Sequence, residues 1–281
     1  MNILITGANG FLGRELTYRF EHDGYSVLST NRQTLNMLNE EQVRSFLEQN
    51  DIKHVIHTAV KGGKRTHQET PKDLSDNITM FHNLMSNKDK FQLMFHFCSG
   101  AAFDREQGIN NEKEETVFDR NPMDYYGLSK NILARECRKY SNVINLRLFG
   151  CFGHLEDSDR LIKGSIERAL KGKQIEIYQD KLMDFFYVGD LYKVILHYIK
   201  NYKKNLATDV NMCYDYTNKI SLLTIADIIS DLTDAKIKVV TPGWGNSYTG
   251  SGKKLAKMGI ELEGLHNSIH EVYKELVKHN G

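Results

Sequence analysis

The sequence lacks the features that mark membrane, secreted and nucleic-acid-binding proteins. Its 281 residues carry 37 basic and 36 acidic side chains, a formal net charge of +1. The basic excess typical of nucleic-acid binding is therefore missing. No apolar run reaches the roughly 18 residues that a membrane helix needs, and the first residues lack the basic region and cleavage site of a signal peptide. We expect a cytoplasmic chain that contacts neither nucleic acid nor membrane.

Cysteine and proline are also scarce. The four cysteines are widely spaced and form no C-x-x-C pair, and the chain has only three prolines. This spacing gives no ligand set for a metal and favours free thiols in a reducing compartment. No internal repeat or low-complexity linker divides the chain. The length and composition therefore predict one large domain with a smaller lobe, without a metal centre.

Short apolar runs alternate with helical periodicity through the first half of the chain. Runs of about four to eight apolar residues between helices are typical of strands buried on both faces of a parallel sheet. Repeated strand–helix units predict an α/β fold with a doubly wound parallel Rossmann sheet. Strands are predicted at Asn2–Thr6, Tyr25–Thr30, Lys53–Thr58, Phe91–Cys98 and Val143–Phe149, and helices at Phe11–Glu21, Glu40–Gln49, Pro71–Asn87 and Asp124–Tyr140.

The pattern is looser after Gly150. We predict that residues 1–150 form the dinucleotide-binding Rossmann domain, that strands near 185–215 return to it, and that residues 151–281 form mainly a smaller α/β substrate lobe. Helices are expected near Asp159–Lys171, Asp190–Asn201, Ser221–Thr233 and Asn267–Lys278, with short strands at Ile175–Tyr178, Val210–Cys213 and Lys236–Val240.

A glycine-rich turn, Gly7-Ala-Asn-Gly-Phe-Leu-Gly13, lies between the first strand and the first helix. Glycines at these positions let the backbone approach a pyrophosphate, which the free N–H groups and dipole of a helix N-terminus favour. The last glycine lets the helix pack close to the strand. The turn therefore predicts an NAD(P) site whose contacts include Gly7, Asn9, Gly10, Phe11, Leu12 and Gly13.

The end of the second predicted strand bears on the choice between NAD and NADP. NAD-specific sites usually place a carboxylate there to hold the ribose 2′-hydroxyl. This chain has Ser29-Thr-Asn-Arg32 instead. The planar guanidinium of Arg32 suits a 2′-phosphate. NADP(H) is therefore favoured, and NAD(H) remains the alternative.

A tyrosine and a lysine share one face of the helix that follows residue 124. Tyr126 and Lys130 are four residues apart, which makes them neighbours on a helix. The ammonium is expected to lower the pKa of the phenol, so that the pair exchanges a proton with a carbonyl oxygen while a nicotinamide transfers hydride. Ser99, at the end of a strand, is expected to donate a hydrogen bond to the same oxygen. Tyr125 is an adjacent decoy that the i+4 spacing excludes.

Seven motifs occur in the order seen in extended short-chain dehydrogenase/reductases: GANGFLG (7–13), HTA (57–59), DN (76–77), CSGAAF (98–103), YYGLSK (125–130), LRLF–FG (146–153) and MDFFYVGDL (183–191). The chain resembles this family along nearly its whole length. Its members are mostly nucleotide-sugar epimerases, dehydratases and reductases. The resemblance implies a catalytic triad of Ser99, Tyr126 and Lys130 and cofactor contacts at Thr58 and Ala59. It also implies a homodimer formed through Pro71–Asn87 and Asp124–Tyr140.

Within the family, the segments 31–39 and 55–63 resemble GDP-L-fucose synthases and the related 4-keto-6-deoxysugar reductases. Fucose synthases carry a cysteine after the catalytic serine and a histidine in the substrate lobe for epimerisation. This chain has Gly100 after Ser99 and no histidine in Asp157-Ser-Asp-Arg160. Family dehydratases place Asp and Glu where this chain has Gly100 and Ala101. The resemblance therefore favours ketone reduction over epimerisation or dehydration.

Three hypotheses follow for the function. The first is an NADPH-dependent reductase of a nucleotide-activated 4-keto-6-deoxysugar, the second an NAD-dependent nucleotide-sugar 4-epimerase, and the third a non-catalytic NADP-binding sensor. A nucleotide diphosphate requires cations or helix N-termini. Met183 stands where many relatives have an arginine that contacts phosphate. The candidate substrate contacts are Lys61, Gly100, Arg160, Lys163 and Lys254.

Overall fold

The computed structural model describes residues 2–63 and 67–280. The strands are β1 (Asn2–Thr6), β2 (Ser26–Thr30), β3 (Ile52–His57), β4 (Leu93–Ser99), β5 (Ile109–Glu112), β6 (Val143–Leu148), β7 (Cys151–Phe152), β8 (Ile175–Ile177), β9 (Phe186–Tyr187), β10 (Asp209–Met212), β11 (Ile237–Val239) and β12 (Tyr248–Gly250). The α-helices are α1 (Phe11–His22), α2 (Glu40–Gln49), α3 (Pro71–Met85), α4 (Tyr125–Cys137), α5 (Leu161–Leu170), α6 (Val188–Lys200), α7 (Leu222–Thr233), α8 (Lys253–Ala256) and α9 (Gly264–Asn280).

A central parallel sheet organises the fold, with its 6 strands in the order β10-β6-β4-β3-β1-β2. β1 pairs in parallel with β2 on one side and with β3 on the other, so Thr6 faces Thr30 and His57. The order in which the strands are added to the sheet therefore changes side after β2: β2 lies on one side of β1, and β3 and β4 follow on the other side. In open α/β sheets, ligands bind beyond the carboxyl ends of the strands at such a switch point. The expected α/β Rossmann architecture is confirmed.

Helices cover the sheet and complete its core. Leu4 of β1, Val55 of β3 and Met94 of β4 are buried in one apolar cluster with Phe81 of α3 and Leu133 of α4. These buried apolar side chains account for the short apolar runs of the strands in the sequence, and the buried His96 of β4 packs against Phe81 in the same layer. Burial of this apolar surface holds the strand ends, and therefore the loops that follow them, in fixed positions.

The chain divides into two compact units. Unit 1 comprises Met1–Arg105, Glu114–Arg147 and Val194–Val210. Unit 2 comprises Glu106–Lys113, Leu148–Lys193 and Asn211–Gly281. Within unit 2, β8 pairs with β11, β7 with β9 and β5 with β12, all in parallel. The functional roles that the sequence assigns to residues 1–150 and 151–281 stay predictions.

The long periodic elements occur where the sequence places them, within a few residues at each end. α9 begins at Gly264 instead of near Asn267 because the buried carboxylate of Asp190 accepts hydrogen bonds from the N–H groups of Glu263 (2.8 Å) and Gly264 (3.1 Å). The sequence analysis missed β5, β7, β9, β12 and α8, which have 2 to 4 residues each. Within the described ranges, no helix is both long and apolar enough to cross a membrane.

Candidate functional site

The glycine turn after β1 permits contacts that no other residue type allows. Gly7 has a positive φ of 70°, and a Cβ there would lie 2.7 Å from the Cα of Ala59. A Cβ on Gly13 would lie 2.5 Å from the carbonyl oxygen of Gly7. Backbone atoms cannot move aside as the end of a side chain can. The turn therefore requires glycine at both positions if α1 is to start directly above β1.

The N-terminus of α1 differs from those of the neighbouring helices. Its N-cap is Gly10, no side chain caps it, and its first turn has no acidic residue. Side chains do cap α2, α3, α4 and α7, through Asn39, Thr70, Asp124 and Ser221. Asn9 and Gly10 are exposed, and Phe11 and Leu12 are partly buried. An open, positively polarised helix end at a glycine cradle fits the pyrophosphate of a dinucleotide.

The end of β3 lies beside this turn. Thr58 donates a hydrogen bond from Oγ1 to the carbonyl of Thr6 at 2.6 Å, and the N–H of Ala59 lies 3.4 Å from Oγ1 of Thr6. His57 bonds the same Thr6 hydroxyl through Nδ1 at 2.8 Å. Burial, with a smaller effect from the charge of Lys130, lowers the pKa of His57 to about 3. His57 is thus a packed, neutral histidine, and its hydrogen bond holds the end of β3 beside the end of β1.

Arg32 is exposed in the turn that follows β2. The side chain of Asn31 shapes this turn by accepting a hydrogen bond from the N–H of Gln33 at 2.8 Å. No carboxylate occurs between Ser29 and Thr34. The structure therefore leaves the guanidinium available on the side of the sheet where the ribose of a dinucleotide at the switch point is expected.

The three predicted catalytic residues meet between β4 and α4. Ser99 is the last residue of β4, and its side-chain oxygen accepts the N–H of Ala101 at 3.1 Å. Tyr126 lies in the first turn of α4, where Ser99 is near enough to lower the pKa of its phenol. Lys130 lies one turn later, with Nζ at 5.7 Å from the centre of the Tyr126 ring. Sequence positions 99, 126 and 130 therefore form one group in space.

The electrostatics of this group differ from the sequence expectation. Burial raises the pKa of Tyr126 to about 12, against the lowering effect of Ser99. Burial likewise lowers the pKa of Lys130 to about 8. The ammonium donates a hydrogen bond to the carbonyl of Phe97 at 2.7 Å. The expectation that the pKa of Tyr126 lies below its usual value was therefore wrong, because desolvation of the phenolate outweighs the lowering effects of Ser99 and Arg105.

Further side chains support this group, and the sequence analysis did not single them out. Asp124 accepts the N–H of Gly127 at 2.6 Å and pairs with Arg105 at 2.5 Å. Glu69 accepts the N–H of Tyr126 at 2.9 Å. Asp124 directly precedes the helix and follows the usual N-cap preference, so it was findable. Glu69 lies 57 residues before Tyr126, and no local pattern connects them.

Asn77, part of the DN motif, connects α3 to two other segments. Its side chain donates to Oγ of Ser129 at 3.1 Å and to the carbonyl of Lys61 at 3.0 Å, and it accepts the N–H of Lys61 at 2.8 Å. The amide therefore fixes the backbone of the loop after β3 next to α4. These hydrogen bonds use both the donor and the acceptor of the side-chain amide, which accounts for an asparagine at this position of the motif.

The predicted substrate contacts are divided between the two units. Lys61 and Gly100 belong to unit 1, whereas Arg160, Lys163 and Lys254 belong to unit 2. Arg160 is the N-cap residue of α5, and the ammonium of Lys163 donates to the carbonyl of Glu156 at 2.8 Å. Their contacts with substrate stay predictions. Among the residues that the structure describes, no group of three or more His, Cys, Asp or Glu side chains suits a metal.

A family model and proteins of known function match most of the chain. A family model described as the NAD dependent epimerase/dehydratase family matches residues 3–213. A GDP-L-colitose synthase of Yersinia pseudotuberculosis is 23% identical over 253 residues, which cover 82% of each chain.

Two solved structures share the fold. A GDP-mannoheptose C4 reductase from Campylobacter jejuni with NADP bound has a TM-score of 0.82 at 18% identity and covers 98% of each chain. A UDP-glucose 4-epimerase from Thermotoga maritima with UDP-glucose has a TM-score of 0.81 at 18% identity and covers 100% of each chain. At these identities, the structural likeness shows the fold and leaves the reaction open.

Proposed function

The chain belongs to the NAD dependent epimerase/dehydratase family and is an NAD(P)-dependent enzyme, and from this premise we propose that it is an NADPH-dependent reductase of a nucleotide-activated 4-keto-6-deoxysugar. The reaction adds hydride to C4 of the sugar, and Tyr126 gives the proton to the carbonyl oxygen. The observation that carries the proposal is the grouping of Ser99, Tyr126 and Lys130 in the unit that holds the glycine turn.

The state of Tyr126 supports a role as an acid. With a pKa of about 12, the phenol carries its proton throughout the physiological range. Reduction of a ketone requires a proton donor, because negative charge develops on the oxygen as hydride arrives. Ser99 acts on the same phenol, and in this proposal its hydroxyl donates a hydrogen bond to the ketone oxygen. Before the reaction, Tyr126 therefore carries the proton that reduction of a ketone consumes.

The cofactor supplies the hydride when it is bound, and the protein residues do the rest. The Gly7–Gly13 turn and the open end of α1 would hold the pyrophosphate, because the glycines let the ligand come close to the backbone N–H groups of the helix end. Tyr126 holds a proton at Oη. Lys130, with a pKa of about 8, is mainly charged at neutral pH and stabilises the phenolate left after proton transfer. Ser99 orients the carbonyl oxygen between these groups.

Two sequence departures support reduction over the other reactions of the family. Gly100 and Ala101, both buried, follow Ser99 and carry no acid or thiol that could move a proton at a neighbouring carbon. The relatives support the substrate class, since the names of the colitose synthase and the mannoheptose reductase both contain a GDP-sugar. We therefore include a nucleotide diphosphate in the proposed substrate.

The deciding experiment is NADPH oxidation by the purified protein with GDP- and dTDP-4-keto-6-deoxyhexoses in parallel, with products identified by NMR. Turnover with one of them supports the proposal and identifies the nucleotide. A protein that binds cofactor, consumes no NADPH and interconverts UDP-sugars is a 4-epimerase instead. A protein that binds NADPH and converts no nucleotide sugar fits the non-catalytic sensor.

The proposed preference for NADPH rests on Arg32. We expect Arg32→Ala to weaken NADPH binding by about tenfold, the value of one charge-assisted contact, and to leave NADH binding unchanged. Arg44→Ala is the matched control, because Arg44 is an exposed arginine on α2 that pairs with Glu41. Equal losses for both cofactors, measured by titration calorimetry, would contradict the assignment of Arg32.

A further inference from the structure

The N-terminus of α4 carries carboxylates from two distant parts of the chain. Asp124 caps the helix by accepting the N–H of Gly127 at 2.6 Å. Glu69 accepts the N–H of Tyr126 at 2.9 Å. The first N–H groups of a helix have no partner within it, so each needs one from outside. Asp124 is the usual local solution, whereas Glu69 reaches the backbone of the catalytic tyrosine itself.

The ring of Tyr126 is packed against Gly62 and Gly63. A Cβ on Gly63 would lie 2.9 Å from Cζ of Tyr126, the ring carbon that bears the hydroxyl. A Cβ on Gly62 would lie 3.4 Å from Cβ of Tyr126 and 3.6 Å from Cγ of Glu69. Gly62 and Gly63 both have positive φ angles, of 79° and 72° respectively. Glu69 and the glycine pair therefore hold the tyrosine from its backbone and from its ring.

Charges of both signs act on the phenol. Burial is the largest influence and raises the pKa of Tyr126, as do the charges of Cys98 and Glu69. Ser99 and the charge of Arg105 lower it. Lys130 adds an ammonium 5.7 Å from the ring centre. The negative charge of Glu69, the smallest of these influences, and the positive charge of Arg105 therefore act on the pKa of Tyr126 in opposite directions.

We propose that Glu69 is a positioning residue for Tyr126: it fixes the tyrosine backbone in the first turn of α4, and its negative charge favours the protonated phenol. A carboxylate at this place does two things that a neutral cap cannot. It satisfies the helix end with a charge-assisted hydrogen bond, and it opposes formation of phenolate before substrate is in place. The catalytic consequence rests on the proposed function, whereas the effect on the phenol does not.

The first test needs no substrate. 3,5-Difluorotyrosine is incorporated at position 126 of the full chain, and its ionisation is followed by fluorine NMR. Glu69→Gln keeps an acceptor oxygen for the N–H of Tyr126 and removes the charge. The titration midpoint should fall by about half a pH unit or more, the size of a nearby charge's effect. Arg105→Gln should raise it. Glu48→Gln, an exposed control on α2, should leave it unchanged.

An unmoved midpoint in Glu69→Gln, or shifts of the same sign in Glu69→Gln and Arg105→Gln, would overturn the proposal. Glu69→Asp is the second variant and covers the case in which Glu69→Gln does not fold. Glu69→Asp keeps the charge, so the titration midpoint should stay close to the native value. The shorter side chain holds the N–H of Tyr126 less well, so kcat should fall. A midpoint that drops as far as in a neutral variant, or an unchanged kcat, would count against the positioning role.

The second test uses turnover of the nucleotide sugar. Glu69→Gln replaces the charge-assisted hydrogen bond to the N–H of Tyr126 by a weaker neutral one, which loosens the tyrosine, so kcat should fall by up to about tenfold with the KM for NADPH unchanged. Should the native protein reduce no nucleotide sugar at all, the proposed function fails while the fluorotyrosine titration still decides the role of Glu69. A native kcat in Glu69→Gln, together with an unmoved midpoint, would leave Glu69 a simple helix cap and refute the inference.

Discussion

The N-termini of α1 and α4 belong to the same unit and solve the same problem in opposite ways. α1 begins at a glycine, without a capping side chain and without an acid in its first turn. α4 begins between the carboxylates of Asp124 and Glu69. Both ends have the same unpaired N–H groups and the same positive polarisation. The difference lies only in what is provided to satisfy them.

This difference follows the purpose of each helix. In the proposed site, the open end of α1 leaves its N–H groups and dipole for the pyrophosphate of the cofactor. The filled end of α4 uses its polarisation internally, which makes the first turn rigid and fixes Tyr126.

The largest expected effect tests what α4 positions. Tyr126→Phe removes the proton donor, and kcat should fall by about 100-fold to 10,000-fold, the usual contribution of a general acid. NADPH binding should remain, because the backbone of the first turn is unchanged. Tyr125→Phe is the matched control, since Tyr125 is 40% exposed on the same turn. Steady-state kinetics measure kcat, and a binding titration measures NADPH affinity. Substantial turnover in Tyr126→Phe would contradict the assignment of Tyr126 as the proton donor.

The next effect tests whether the open end of α1 serves a ligand. A Cβ on Gly10 would lie 3.3 Å from the carbonyl oxygen of Gly7, a contact that a small shift relieves. We expect Gly10→Ala to weaken NADPH binding by more than about tenfold, because the added methyl group blocks the pyrophosphate, with little change in melting temperature. Gly13→Ala should lose both binding and stability, since its Cβ meets backbone at 2.5 Å. Native affinity in Gly10→Ala would contradict the pyrophosphate site.

The pH dependence of reduction tests the residue one turn further along α4. The pKa of Tyr126 is about 12 and that of Lys130 about 8. The phenol keeps its proton across the measurable range, whereas Lys130 loses its charge as the pH rises through 8. The rate of ketone reduction should therefore be flat between about pH 6 and 7.5 and fall by up to about tenfold per unit above pH 8.

A profile that instead rises above pH 8 would mean that the ammonium is not needed. In Lys130→Arg, the guanidinium does not lose its proton in this range. Whatever activity this variant retains should consequently show no fall near pH 8, which separates ionisation of Lys130 from other causes of alkaline inactivation.

The smallest effect concerns the cap itself. Asp124→Ala should reduce the free energy of unfolding by about 1 kcal/mol, the usual value of an N-cap, and should also lower kcat because Arg105 and the first turn lose their anchor. Ser221→Ala, which removes the cap of α7, should cost similar stability. Denaturant unfolding and kinetics together make the comparison. An equal loss of kcat in Ser221→Ala would show that stability alone explains both.

Much of the site was readable in the sequence because its signals are local. The glycine turn, the i+4 pair of Tyr126 and Lys130, and Ser99 at a strand end each depend on a few neighbouring residues. Backbone geometry over such short stretches follows from steric limits and hydrogen-bond periodicity. The same holds for the long periodic helices and the apolar strands, whose pattern repeats often enough to identify the element.

The remainder depended on residues that only the folded chain brings together. Glu69 reaches Tyr126 from 57 positions away, and Asp190 starts α9 from 73 positions away. β5 forms because β12 is there to pair with it. The pKa of Tyr126 rises where a local argument lowers it, since burial is a property of the whole packed unit. Local pattern identifies which groups are present, whereas desolvation and long-range hydrogen bonds, which exist only after folding, decide their charge, their orientation and their partners.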